Sequence, residues 1–458
     1  MSASSTPDMR PGAMANGFEP SMLQSLPAAE RELVERRQRA LGPAYRLFYE
    51  LPVVVDHAKG VHIYDPEGNE YLDVYNNVPC VGHAHPHVNE AIARQLERVN
   101  TNTRYLQDGV VDYAERLLST FPDELGNVMF TCTGSEANDL ALRVARWVTG
   151  GTGVIVTANA YHGVTTAIAA ISPSLGANVP LGSYVRTIPA PDALRIQAQG
   201  FDFDAYMADA VRAAIADLQR HGVKVAAFIA DGAFASDGIH PNPVGWLHEA
   251  ARLVREAGGL YIADEVQPGF GRLGDGWWGF ARHGVVPDIV TMGKPMGNGI
   301  PIAAAVFRPD LLVDFGYRVR YFNTFGGNSV SIAAAGAVLD VIESEQLIAN
   351  AASVGRQLLE GIRSLTASDE QVAEVRGSGL FIGVELVTDR ESLNENPQLS
   401  AAIVNRLRER RVLISSSGPK ANVLKVRPPM AFRSADADRL LSELDIVLGQ
   451  LRSTGELH

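Results

Sequence analysis

Three short stretches of this 458-residue chain carry side chains that can share one piece of covalent chemistry. The first, Thr133-Gly134-Ser135-Glu136, follows the apolar run NVMFTC (127–132) and precedes a stretch whose apolar residues Ala137, Leu140, Ala141, Val144, Ala145 and Val148 keep to one helical face. Strand, glycine turn and helix start bring free backbone N–H groups and the positive end of a helix dipole together. An anion can sit there against Gly134, with Ser135 donating its hydroxyl. A Ser or Thr at such a place is also an ordinary helix cap. The second stretch, Ala263-Asp264-Glu265-Val266-Gln267, begins at the end of the run LYIAD, where the Asp264 carboxylate can face a ligand or cap a loop. The third, TMGKPMG (291–297), sets Lys294 among Gly, Pro and Met with no other charge beside it. Most lysines only decorate a surface, but partial burial lowers an ammonium pKa and yields the free amine that imine formation needs.

An anion cradle, a carboxylate and an amine at three strand ends suit one ligand with a phosphate, a basic ring nitrogen and an aldehyde, which is pyridoxal phosphate. Lys294 then holds the aldehyde as a Schiff base, and Asp264 keeps the pyridine nitrogen protonated so that the ring accepts electrons. Once an incoming amine has displaced it, Lys294 can carry the proton. Tyr161, in AYHG (160–163) after GVIVT, is placed to stack on the ring, or simply to pack.

The elements that must deliver these residues are apolar runs of strand length: NVMFTC (127–132), GVIVT (153–157), VAAFIAD (225–231), LYIAD (260–264), DIVTM (288–292) and IAAAVF (302–307). Such runs alternating with helical stretches predict an α/β fold whose large domain has a mostly parallel central sheet covered by helices on both faces, with ligands at the strand ends. Upstream, ERELVERRQRA (30–40) reads as a charged helix stopped by Gly42-Pro43, and GVHIYDPEGNEYLDVYNN as a hairpin turning at PEGN (66–69). Downstream, SIAAAGAVLDVIESEQ reads as a helix, GLFIGVELV as a strand, and the chain from Ser434 as a closing helix. The expected organisation is a mobile or loosely docked N-terminal arm over 1–28, part of a smaller α/β domain over 29–75, the large domain over 76–330, and the rest of the small domain over 331–458, so that both termini build it.

The motifs GHAHP (82–86), TGSEAND (133–139), YHG (161–163), ADEVQPGFGR (263–272), TMGKPMGNG (291–299) and FNTFGGN (322–328), in this order and spacing, resemble the class III, or omega, aminotransferase family of fold type I pyridoxal-phosphate enzymes. The resemblance covers about residues 45–450. It implies that Lys294 is the Schiff-base lysine and Asp264 the partner of the ring nitrogen, with Val266 and Tyr161 on the two ring faces. It further implies that His162 belongs to the cofactor site, Gln267 bonds the ring-hydroxyl region, Gly134 and Ser135 hold the phosphate, and Thr324 reaches the phosphate of a neighbouring subunit's cofactor. Arg427, in VLKVRPPM, matches the arginine that clamps a substrate carboxylate. Where relatives carry a Glu, this chain has Asp231 in ADGAFASDG, together with Phe234. Asn77, Val78, Asp231 and Phe234 are the further candidates for the substrate lining. YLDVYNNV, NTNTRYL and ISSSGPKANVLKVRPPM resemble most the branch of ethanolamine-phosphate and hydroxylysine-phosphate phospho-lyases.

A formal charge of −12 and basic residues interleaved with Glu and Gln exclude a nucleic-acid surface. Two separated cysteines support neither a disulfide framework nor a zinc site, and no metal is expected. The opening residues read as neither a secretion signal nor a membrane span, which leaves the cytoplasm as the expected compartment. The reading is an aminotransferase moving an amino group from a primary amine or omega-amino acid to a keto acid, in a homodimer or tetramer with shared sites. The alternative is a phospho-lyase acting on phosphoethanolamine or a similar phosphorylated amino alcohol. A non-catalytic cofactor-binding homologue would need a DNA-binding helix pair or basic arm, which the sequence lacks.

Overall fold

The computed structural model describes residues 16–457. Its central feature is a seven-stranded sheet built from β4 (Asn127–Thr131), β5 (Gly153–Thr157), β6 (Val185–Ile188), β7 (Val225–Ala230), β8 (Leu260–Asp264), β9 (Ile289–Met292) and β10 (Ala303–Phe307), in the order β4-β10-β9-β8-β7-β5-β6. The pairings from β9 to β6 are parallel, while β10 runs antiparallel to both β4 and β9. Every residue of β5, β7, β8, β9 and β10 is buried, as continuous apolar runs require when helices cover both faces. The six expected strands are all present. β6 was not foreseen, because VRTI is short and only its ends, Val185 and Ile188, are buried.

Consecutive parallel strands put their C-terminal ends on one edge of a sheet. Thr133 follows β4, Tyr161 follows β5, Asp231 follows β7, Asp264 ends β8 and Lys294 follows β9. The reversed strand β10 brings its N-terminal end, with Pro301 and Ile302, to the same edge. The helix Gly134–Thr149 packs Ala137, Leu140, Ala141, Val144 and Ala145 against the sheet. Val148, expected on that face, is 43% exposed. A 16-residue helix, roughly 24 Å long, outruns five-residue strands of roughly 17 Å.

Two smaller sheets flank this layer. The hairpin of β2 (His62–Tyr64) and β3 (Glu70–Asp73) carries β1 (His57–Lys59) on one side and, on the other, β13 (Val412–Leu413), which pairs parallel to β3 from the far end of the chain. Its turn is held by Asp65, whose Oδ1 accepts from Asn69 N at 2.7 Å. The second is the antiparallel set β11 (Val372–Ser378), β12 (Phe381–Leu386), β15 (Val423–Val426) and β14 (Ser415–Ser417). Both ends of the chain thus build the smaller part, and the closing helix is Ser434–Thr454. The charged N-terminal helix spans Ala28–Leu41 and stops at Gly42, whose φ of 69° is the left-handed conformation glycine favours. Among the described residues no helix is long and apolar enough to cross a membrane, and no cluster of side chains could hold a metal ion.

Of the arm expected to be mobile or loosely docked over 1–28, residues 1–15 lie outside the described part, and residues 16–28 are docked. Phe18 N donates to Leu47 O at 2.9 Å and Tyr49 N to Asn16 O at 2.7 Å, while Phe18, Leu26 and Val34 form a small core with Met22, Leu23, Leu47 and Leu51. Isolated apolar residues in a Pro- and Ser-rich stretch give no periodic signal, yet together they cover a patch.

The helix Leu347–Leu365 crosses the β11–β12 turn at Gly355, where a Cβ would lie 2.1 Å from the Gly379 carbonyl oxygen. Gly355→Ala is therefore expected to lower stability by about 1–3 kcal/mol through forced overpacking, read as a lower urea midpoint.

Candidate active site

The cavity at the sheet edge has a volume of about 350 Å³. Its floor starts at the helix Gly134–Thr149, and the cap there is Thr133, whose Oγ1 accepts from Glu136 N at 3.2 Å while Glu136 Oε2 accepts from Thr133 N at 2.9 Å. The cap reading of this stretch is thus right for Thr133. It leaves the amides of Gly134 and Ser135 without an intrahelical acceptor, facing the cavity that both residues line. Ser135 Oγ accepts from Val164 N at 3.1 Å, so its hydroxyl proton remains available to an anion. The cradle is tight: a Cβ on Gly134 would meet Val266 Cγ2 at 2.9 Å, and one on Gly163 would strike Ser135 Oγ at 2.3 Å.

Asp264 is buried, and both of its oxygens are held from behind, Oδ1 by a single donor that leaves it a further acceptor site. Oδ2 accepts from Asn138 Nδ2 at 2.9 Å and His162 Nδ1 at 2.8 Å, and Oδ1 accepts from Val266 N at 3.0 Å. Asn138 Oδ1 in turn accepts from Thr291 Oγ1 at 2.6 Å, and Asn138 Nδ2 also donates to His162 O at 2.7 Å. The carboxylate can only accept, so the His162 proton sits on Nδ1. Asn138 was missed at the sequence level. Its signal was a polar residue inside the apolar stripe Ala137, Leu140, Ala141.

Lys294 lines the cavity from the turn after β9. Its amine is held below the ordinary lysine range, first by burial and then by the charge of Arg427, with Asp264 and Asp231 pulling the other way. The loop is braced by Asn298, whose Oδ1 accepts from Val81 N at 3.0 Å and whose Nδ2 donates to Gly82 O at 2.8 Å, tying the lysine turn to GHAHP. Tyr161, His162, Val266 and Gln267 line the same cavity, as do Val78 and Asp231. Asp231 accepts from Ala233 N at 2.8 Å and Ala235 N at 3.1 Å, and burial, then Asp264, raises its pKa.

Four expected residues lie elsewhere. Phe234 is in the core, its ring 5.4 Å from that of Trp246, because the turn after β7 takes it through a positive φ of 48° and away from the cavity. Asn77 is buried behind Val78, off the wall, with no partner for Nδ2 among the described residues. Thr324 is exposed in a separate hollow that shares Cys132 and Pro301 with the cavity. Arg427 stands behind Gln267, one layer back from the wall.

That second layer is cationic. Arg427 Nη1 donates to Gln267 Oε1, its Nε donates to Tyr75 O at 3.3 Å, and its guanidinium lies 5.1 Å from the Tyr75 ring centroid and 5.7 Å from that of Phe381. Lys425, two residues earlier on β15, sends Nζ to the same Gln267 Oε1 at 3.5 Å and lies 5.6 Å from the Phe381 centroid. Burial pushes both pKa values down, that of Lys425 well below the lysine range. Behind them Arg272, fully buried, donates Nη1 to the carbonyls of Leu380 and Pro428, while its Nε and Nη2 find no acceptor among the described residues. Lys425 was also missed. Its signal was alternation: in VLKVRPPM, Lys425 and Arg427 are two apart and point to one face of the strand.

These residues fit pyridoxal phosphate: two free first-turn amides and a hydroxyl for a phosphate, a buried carboxylate for a ring nitrogen, apolar and aromatic walls for the ring, and an amine of lowered pKa for an aldehyde. Comparison with known proteins agrees. The profile of the family "Aminotransferase class-III" matches residues 47–448. The "Alanine--glyoxylate aminotransferase 2-like" protein of Drosophila melanogaster is 40% identical, over 92% of this chain and 87% of that one. An "Ethanolamine-phosphate phospho-lyase homolog 1" of Caenorhabditis elegans is 37% identical, over 92% of this chain and 94% of that one. Among solved structures, a phospholyase from Arthrobacter in complex with phosphoethanolamine superposes with a TM-score of 0.87 at 44% identity, covering 91% of this chain and 99% of that one.

Asn138→Leu leaves one Asp264 acceptor site and the Thr291 hydroxyl unsatisfied in the interior. It is expected to weaken uptake of pyridoxal phosphate by about 1–3 kcal/mol, measured by absorbance titration of the cofactor-free protein. Lys294→Ala serves as the control that takes no borohydride-stable label.

Proposed function

The chain belongs to the class-III aminotransferase family of pyridoxal-phosphate enzymes, and from that premise we propose that it is a phospho-lyase acting on phosphoethanolamine or a closely similar phosphorylated amino alcohol. The observation that carries this reading is the pair of buried cations, Lys425 and Arg427, which among the described residues share one neutral amide oxygen and form no ion pair with a carboxylate. Burial disfavours the charged form of both side chains and an oxyanion would restore it, so a site that keeps two such groups without a carboxylate suits an anionic ligand. A carboxylate needs one bidentate arginine; two convergent cations with Arg272 behind them match the two charges of a phosphate monoester. The similarity to proteins named phospho-lyase supports the same reading.

Pyridoxal phosphate, when bound, supplies an aldehyde to receive the substrate nitrogen and a ring that withdraws electrons from the neighbouring carbon. The protein supplies the rest. Gly134 and Ser135 would hold the phosphate end, Tyr161 and Val266 would pack on the two ring faces and so fix which substrate bond can break, and Asp264, positioned by Asn138 and His162, would pair with the ring nitrogen. Lys294, whose amine is held below the ordinary lysine range by burial and then by Arg427, takes the proton from the carbon bearing nitrogen. Lys425 and Arg427 draw the phosphate end of the substrate away from that carbon and stabilise it as it leaves with the C–O electron pair. With one water consumed, the products are an aldehyde, ammonia and inorganic phosphate.

Transamination, the reading favoured by sequence, remains the second. Arg427 alone serves a carboxylate, and the 40%-identical relative carries an aminotransferase name. The reading further places Thr324 toward the pocket of a second subunit in a homodimer, which accords with its exposure next to Phe325, itself 68% exposed, and it keeps the enzyme in the cytoplasm.

Two outcomes are expected. Incubated with phosphoethanolamine and no keto acid, the holoenzyme releases phosphate and ammonia in equal amounts. Release that depends on a keto acid would replace this reading by transamination. An oxyanion favours the charged form of Lys425, so its contribution to substrate binding is complete at low pH and is lost as pH rises through the lowered pKa of the empty pocket. Above the ester's second ionisation, near pH 6, KM should therefore rise with pH, and Lys425→Met should raise KM and flatten that limb.

A further inference from the structure

Both buried cations aim at one atom. Gln267 is buried directly after Val266 on the cavity wall, and its Oε1 accepts from Arg427 Nη1 and, at 3.5 Å, from Lys425 Nζ. Hydrogen bonds from charged donors are roughly twice as strong as neutral ones, so this oxygen is the acceptor that keeps two interior charges from standing bare. With the oxygen so engaged, the amide nitrogen is the group left to donate toward the cavity. Neither cation reaches the wall past Gln267, which lines the cavity where they do not. An oxyanion bound by Lys425 and Arg427 must therefore take the place that Gln267 Oε1 now holds.

We infer that Gln267 is a resident placeholder in the anion subsite: its amide oxygen satisfies Lys425 and Arg427 while the pocket is empty, yields them to the oxyanion of an arriving amine, and returns to displace that anion after release. This rests on reading the two cations as an oxyanion subsite. Two bare cations in a buried pocket would retain inorganic phosphate after the organic product had gone. A neutral amide tethered beside the same donors competes at high effective concentration and shortens that stay. Gln267 acts here through the cations, as a positioning residue. The role also explains why a neutral side chain stands there: a carboxylate at 267 would pair with both cations permanently and close the subsite.

The test is calorimetric titration of inorganic phosphate into holoenzyme whose cofactor content has been checked by absorbance, so that the Gly134–Ser135 cradle is filled. Gln267→Leu keeps the volume and removes the competing oxygen; it is expected to bind phosphate roughly three- to tenfold more tightly than the wild type, with phosphate inhibiting turnover correspondingly more strongly. Gln267→Glu should bind phosphate at least tenfold more weakly, since its charge occupies both cations. Should the leucine variant fail to fold, Gln267→Asn, whose shorter amide withdraws from the cations, carries the same expectation of tightening. A purely structural or phosphate-contacting role predicts weaker binding in the leucine and asparagine variants. Weaker or unchanged binding there overturns the placeholder and leaves the subsite standing. Phosphate that does not bind the wild type, or binds Lys425→Met as tightly, overturns the subsite and the placeholder with it.

Discussion

A carboxylate held away from water at the end of a central strand must be satisfied from several directions at once, and the site is arranged around meeting that demand for Asp264. Its oxygens are held by a helix (Asn138), by a loop after a neighbouring strand (His162) and by its own backbone (Val266 N), and the helix residue is itself fixed by Thr291 on β9. Four segments far apart in sequence are thereby locked to one oxygen pair. The parallel sheet makes this possible, because its strands end on the same edge and deliver these segments within hydrogen-bond reach. The same edge carries Lys294 and the Gly134–Ser135 cradle, so the groups that meet the cofactor's phosphate, ring and aldehyde inherit their spacing from strand register.

The opposite side of the cavity solves a different problem. There basic side chains are buried: Lys425 on β15 and Arg427 just past its end, with Arg272 braced against the carbonyls of Leu380 and Pro428. None of the three has a carboxylate partner among the described residues. Aromatic faces, backbone carbonyls and one glutamine oxygen hold the charges, an arrangement weak enough to be exchanged for a better anion. On the proposed reading the large sheet presents an anion to the cofactor ring and the region around β15 presents cations to the substrate, with Gln267 between them.

Most of the large sheet was legible in the sequence because β5, β7, β8, β9 and β10 are buried on both faces, which makes each a continuous apolar run, and because Gly134, Asp264 and Lys294 sit just where such runs stop. The hairpin at PEGN was legible from a different local signal, alternation of apolar and polar residues around a turn. What could not be read was anything that depends on which side chain faces which across the fold. Arg427 was identified, but its place behind Gln267 is set by packing of β15 against Phe381 and Tyr75. Phe234 was assigned to the lining as part of the departure from the family pattern at Asp231, yet a positive φ turns it to Trp246. Lys425 was passed over because its neighbour already had a role, although period-two alternation puts both on one face. The docked segment 16–28 carries too few apolar residues to show a pattern until the surface they cover is known.

The two charged halves are not independent, because Lys294 lies between them. Its amine is kept from protonation by burial first and by Arg427 second, and drawn toward protonation by Asp264 and Asp231. An oxyanion settling on Arg427 offsets the second of the lowering causes and adds negative charge on the same side as Asp231. The amine then holds a proton more strongly. In the empty pocket Lys294 is thus a poorer base and a readier nucleophile, suited to joining an aldehyde. With substrate in place it is the better base, at the moment when the carbon bearing nitrogen must lose its proton. One lysine can serve both tasks because the charge that distinguishes them arrives with the substrate itself.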